Sequence, residues 1–143
     1  MNVLIDTNVI LDILLQREPH YKDAAKIHVL SENGYIRSYI SASAVTDIFY
    51  ITRKYLKNTD IVFGLLRNLL KTIRVASVTE NNILEALNLK WNDFEDSVQY
   101  IIGKSISAEY IITRNPQDFS KSQIKTLLPK EFLNIIHNGE TIS

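Results

Sequence analysis

The chain has 143 residues, 45% of them hydrophobic, with 4 Gly and 3 Pro, a composition that suits one domain over residues 1–143 and excludes a disordered or repeat protein. Its 16 basic and 16 acidic residues cancel, so no global field marks a nucleic-acid partner and any such contact must come from a local basic patch. The absence of cysteine excludes disulfides, zinc–cysteine sites and thiol chemistry, and Asp6 and Asp12 interrupt the first apolar run, so the chain reads as soluble and cytoplasmic with no membrane partner.

Val3-Leu4-Ile5 is a short apolar run suited to a central strand, followed at once by Asp6-Thr7-Asn8 and then by an almost wholly apolar segment to Leu15. The chain therefore passes from strand to helix at Asp6. In an open parallel sheet, ligands gather beyond the carboxyl ends of the strands, so Asp6 stands where such a fold puts its chemistry. Taken alone, Asp6 or Thr7 is better read as a helix cap. Gln16-Arg17-Glu18-Pro19 breaks the helix, and a second is expected from about His20 to Glu32, stopping at Asn33-Gly34. His28 on its apolar side reads as a packed or boundary histidine rather than a metal ligand. Tyr35 to Ile40 reads as a strand, and Ser41-Ala42-Ser43 as the turn and cap of a third helix reaching roughly Leu56. Asp47 lies about one turn into that helix. Its helical neighbours Ala44, Tyr50 and Ile51 put it on or beside the apolar face, whereas the plain reading of a lone Asp is an ion pair with Arg53 or Lys54 or an exposed edge.

Asn58-Thr59-Asp60 opens a fourth helix to about Lys71, whose double apolar stripe is core or subunit interface. Thr72 to Val78 reads as a strand, and Thr79 caps a fifth helix through about Lys90. Asp93-Phe94-Glu95-Asp96 then concentrates acids before the pattern Val98, Ile101, Ile102, Ile106, which marks a helix start. Asp93 and Asp96 have the spacing of a capping box, yet one acid suffices for a cap, and neighbouring carboxylates repel unless a cation offsets them. Tyr110 to Thr113 is a strand with the polar exit Arg114-Asn115-Pro116-Gln117-Asp118-Phe119. A short helix over Ser120 to Leu128, a last strand over Phe132 to Ile136 and a loose polar tail complete the expectation.

Asp6, Asp47 and Asp118 thus each follow a separate strand, while Asp96 begins a helix. In a parallel sheet the strand exits share one edge, where these carboxylates can converge. Carboxylates without cysteine or a histidine motif call for a hard cation such as magnesium or manganese, which activates water and neutralises an attacked phosphate.

Val3-Leu4-Ile5-Asp6-Thr7-Asn8, the helical Asp47, the Asp93–Asp96 turn and Ile111-Ile112-Thr113-Arg114-Asn115-Pro116-Gln117-Asp118-Phe119 together resemble the PIN-domain ribonucleases, above all the VapC-type toxins of toxin–antitoxin pairs. The resemblance implies a three-layer α/β/α fold around a mainly parallel sheet, a magnesium-dependent cut in RNA, a homodimer and a cognate antitoxin. By that resemblance Asp6 and Asp96 are the principal metal ligands, and Asp118 holds metal directly or through water. Asp47 stands where the family commonly has Glu and acts through water or on the nucleophile. Asn115 fills a position that is often Asp and assists as a neutral ligand, Asn8 and Thr113 support the ligands, and Asp93 is a supporting acid or only a cap. Arg53, Lys54 and Arg114 are the nominated RNA contacts. A receiver domain would show adjacent acids near the first strand and a late Lys, neither of which is clear. An inactive PIN fold serving as an RNA- or protein-binding module, weakened by Asp47 and Asn115, is the main alternative.

Overall fold

In the computed structural model, which describes residues 1–138, five parallel strands carry the architecture. The strands are β1 (Asn2–Ile5), β2 (Arg37–Ser41), β3 (Ile73–Ala76), β4 (Tyr110–Ile112) and β5 (Lys125–Leu127), in the spatial order β3-β2-β1-β4-β5. β1 is central because its run is apolar on both faces. Val3 and Ile5 enter one core and Leu4 the other, as a strand's period of two requires.

The helices α1 (Thr7–Leu15), α2 (Tyr21–Glu32), α3 (Ala42–Leu56), α4 (Thr59–Leu69) and α7 (Pro129–His137) supply the first core, with Ile10, Ile27, Ile48, Leu69 and Phe132 buried in it. The helices α5 (Glu80–Leu89) and α6 (Phe94–Ser105) cover the opposite face, where Ala86, Val98, Ile102 and Phe119 pack on Leu4 and Ile111. This is the expected three-layer α/β/α arrangement, with a sheet that is parallel throughout. Among the described residues no helix is long and apolar enough to cross a membrane.

The chain runs outward from β1 through β2 to β3, then returns to the other side of β1 for β4 and β5. The strand order therefore reverses between β1 and β4, and the crevice beyond their carboxyl ends is the place where such sheets bind ligands. Asp6 follows β1 directly and Thr113 follows β4 directly.

Two expectations fail in the last quarter. Ser120 to Leu128 is not helical: a short 3-10 turn, Pro116–Phe119, leads through a loop fastened by Ser122 into β5, whose Lys125–Leu127 pair in register with Tyr110–Ile112. Phe132 to Ile136 is not a strand but the body of α7. Pro129 opens that helix, Glu131 accepts the Leu128 N–H at 2.8 Å, and Phe132 and Ile136 are buried at helical spacing. Five apolar-rich residues are too few to separate the two periods. The expected loose tail falls mainly on residues 139–143, outside the described residues.

Candidate active site

Asp6 is the side chain on which the other elements converge. It is the N-cap of α1, accepting the Thr7 N–H at 2.8 Å through Oδ1, so the capping reading is correct. The cap leaves room for more. Gln99 Nε2 of α6 donates to the same oxygen at 3.1 Å, and Thr113 Oγ1 at the exit of β4 donates to Oδ2 at 2.8 Å. The backbone N–H of Asp6 in turn bonds the Ile112 carbonyl at 2.9 Å. A carboxylate that is only 8% exposed is thus oriented from three separate elements.

Asp93 caps α6, accepting the Asp96 N–H at 3.0 Å, which places the Asp96 carboxylate in the helix's first turn. Asp118 sits in the turn after β4, and Asp93, Asp96 and Asp118 line one cleft of about 280 Å³ together with Trp91, Gln117 and Lys121. Electrostatics ties these acids to Asp6. Burial, then the charges of Asp93, Asp6, Asp118 and Glu95, push the Asp96 carboxyl up to about 7. Asp6 is also raised, chiefly by burial, against the lowering hydrogen bonds from Thr113 and Thr7, with Asp118 and Asp93 adding repulsion.

Asp47 follows the plain reading of a lone Asp at an exposed edge: it is exposed rather than set on the apolar face, and among the described residues it makes no ion pair with Arg53 or Lys54. Its charge nevertheless reaches the cluster by way of Glu95, whose carboxyl is raised by burial first, then by Asp47, Asp6 and Asp93. Asn115 donates its backbone N–H to Thr113 Oγ1 at 3.1 Å, fixing the hydroxyl that holds Asp6. Asn8 contributes its carbonyl to Arg17 at 3.2 Å. Of the nominated RNA contacts, Arg53 and Lys54 are exposed in the last turn of α3, with the Arg53 guanidinium 5.9 Å from the Tyr50 ring centroid. Arg114 is engaged elsewhere, its Nε 3.2 Å from the fully buried Asp12.

Three participants escaped the sequence reading. Gln99 is one; its position three residues after Asp96 on the same helical face was the available signal. Glu95 is another, read only as part of an acidic turn. The third is Asp12, whose side chain joins Arg17 at 2.8 Å and Arg114 at 3.2 Å, bracing the loop that carries Asn115 and Asp118. His28 is packed as expected, its Nε2 lying 3.0 Å from Thr72 Oγ1.

The donor set is all oxygen, which suits a hard divalent cation. Among the described residues no three acidic or imidazole side chains already form a metal cage. Magnesium does not need one, because it keeps several waters and takes one or two carboxylates plus substrate phosphate. Gln99 Oε1, buried and without a hydrogen-bond partner, is an acceptor suited to such a water.

A doubly flanked parallel sheet with an acidic cleft at its topological switch point defines an α/β protein with carboxylates gathered at the strand exits. Comparison with known proteins sharpens the class: the profile of the family described as PIN domain matches residues 2–117, and the chain belongs to that family. It is 24% identical over 136 residues to Ribonuclease VapC1 of Aquifex aeolicus, covering 91% of this chain and 92% of that one. Among solved structures it is similar to VapBC-1 from nontypeable Haemophilus influenzae, with a TM-score of 0.68 at 15% identity over 91% of this chain and 99% of that one. VapBC2 from Rickettsia felis, bound to a promoter DNA fragment, gives a TM-score of 0.67 at 13% identity, covering 90% and 98%.

Proposed function

We propose that the protein is a magnesium-dependent endoribonuclease and the toxin of a toxin–antitoxin pair, with manganese as an alternative ion. The observation that carries this reading is the gathering of Asp6, Asp96 and Asp118 at the β1/β4 switch point, where burial first, and then the charges of the neighbouring acids, raise the Asp6 and Asp96 carboxyls. The relative's name, Ribonuclease VapC1, supplies the substrate class, and the VapBC neighbours support an antitoxin partner. A homodimer belongs to the same reading.

In this reading Asp6 and Asp96 would hold the cation, and Asp118 would hold it directly or through water. The bound ion supplies Lewis acidity, easing deprotonation of the attacking water and offsetting charge on the phosphate. The chain's own residues do the positioning. Thr113, Gln99 and the Thr7 N–H fix both oxygens of Asp6, and Asn115 fixes Thr113. Asp96, with a pKa of about 7, exchanges a proton near neutral pH and so yields to a cation that competes for its oxygens. Asp47 and Glu95 add negative charge at the rim, and Lys121 is the basic side chain lining the cleft.

The test is cleavage of a mixed RNA pool by purified protein, in magnesium and in chelator, beside folded Asp6→Asn and Asp96→Asn variants. Magnesium-dependent cutting lost in both variants is the expected result. Cutting that survives both substitutions overturns the assignment, and absence of both cutting and magnesium binding favours a PIN fold kept as a binding module.

A further inference from the structure

The edge of the sheet opposite the carboxylates carries a cavity of about 420 Å³, within the range of small-molecule sites, roughly 300–1,000 Å³. It lies at the amino ends of β1, β2 and β3, about 15 Å from the acidic edge by strand length. Arg37 at the start of β2, Lys71 after α4 and Arg74 in β3 line it, with Glu32 as the single acid. Its floor includes the buried Ser38 hydroxyl, bonded to Ser31, and Tyr35 stands at its wall 55% exposed.

Ordinary duties do not account for the three cations. Among the described residues both ion pairs are made to Asp12, and none of Arg37, Lys71 and Arg74 takes part in one or in a side-chain hydrogen bond. Nor do the helix ends at this edge need them as caps. The last carbonyls of α2 are taken by the backbone N–H groups of Asn33, Gly34 and Tyr35, and those of α4 by Leu70, Lys71 and Thr72. Like charges sharing a cavity with one carboxylate leave a positive potential that an anion relieves.

We propose that this cavity binds a nucleotide, its phosphates held by Arg37, Lys71 and Arg74 and its base against the Tyr35 ring. Guanidinium groups match phosphate geometry through paired donors, and an exposed aromatic face accepts any base. Such a site stands apart from the proposed nuclease centre and needs no metal ion.

Calorimetric titration of the full-length protein with ADP, adenosine and inorganic phosphate in chelator tests this, since chelator removes any cation from the acidic edge. ADP should saturate with a Kd below about 1 mM. Adenosine and phosphate alone should bind at least about tenfold more weakly, because each satisfies only half of the site. The double variant Arg37→Gln, Arg74→Gln should abolish ADP binding with the melting temperature unchanged, both side chains being exposed. Tyr35→Ala should weaken ADP by about tenfold while leaving phosphate unaffected. Lys130→Gln, exposed in the first turn of α7 beyond the carboxyl end of β5, should change nothing. No saturable ADP binding, or binding indifferent to the double variant, overturns the proposal. So does binding of a 5′-phosphorylated RNA oligonucleotide at this edge in place of ADP.

Discussion

Thr113 and Gln99 show how much of the site lies in side chains that bear no charge. Each donates to Asp6, at 2.8 Å and 3.1 Å, and each is almost wholly buried. Removing either bond frees a carboxylate that must point at one place, and partners of metal ligands typically matter by about 10–100-fold. Thr113→Val and Gln99→Leu should therefore each lower RNA cleavage by about 10–100-fold without unfolding the protein, and Thr113→Ser should restore most of it. Rates on one RNA substrate, with circular dichroism as the folding control, decide the matter. An equal loss in Thr113→Ser would mean that the methyl group, not the hydroxyl, carries the effect. Asp6 was legible in the sequence because it directly follows an apolar strand, whereas Thr113, read as the last residue of its strand, was nominated only by the resemblance to the PIN-domain ribonucleases. Gln99 was passed over, because its one signal, a place three residues after Asp96 on the same helical face, gains meaning only once its partner Asp6 is known.

At the scale of elements, the alternation of strand and helix was legible from β1 to β4, while β5 and α7 were misread. Through Leu89 each helix starts at a polar cap, Asp6, Ser41, Asn58 or Thr79, with α2 the exception, and of the early strands β1 is an apolar run while β2 and β3 mix polar and apolar residues. β5 has three residues and a mixed composition, too little for any periodic signal. α7 holds its place by tertiary packing, with Phe132 fully buried and its ring 5.8 Å from that of Tyr110. Phe132→Ala should accordingly cost about 3–5 kcal/mol of unfolding free energy in urea titration, a value a solvent-facing residue would not reach. The Asp12 network makes a second demand on an element. The Arg17 and Arg114 side chains are about a quarter exposed although Arg114 Nε itself is buried, so Asp12→Asn should cost about 1–3 kcal/mol. Its larger effect should fall on the loop after β4, seen as faster amide exchange at Asn115 and Asp118. Unchanged exchange there would separate the ion pairs from the site.

For the whole molecule, the proposed cation site predicts an exchange of stability for binding at the acidic edge, and pH exposes it. The Asp96 carboxyl titrates near 7 in the folded protein against an ordinary value of 3.8, and Asp6 and Glu95 shift in the same direction. Between those values the native state binds more protons than the unfolded chain, so without metal the stability must fall as pH rises from about 4 to about 7. Asp96→Asn should flatten much of that slope. A divalent cation binds the deprotonated form, which reverses the balance above pH 7. At a hundred times its Kd a ligand of the native state adds about 2.7 kcal/mol, or roughly 5–10 °C in a domain of this size. Magnesium should therefore raise the melting temperature clearly at pH 8 and much less at pH 5.5, and the difference should vanish in both Asp6→Asn and Asp96→Asn. Thermal melts at the two pH values, with magnesium or chelator, give the answer directly. An equal shift at both pH values would place the ion on groups that do not titrate in this range, and a shift retained in both variants would place it away from the β1/β4 switch point altogether.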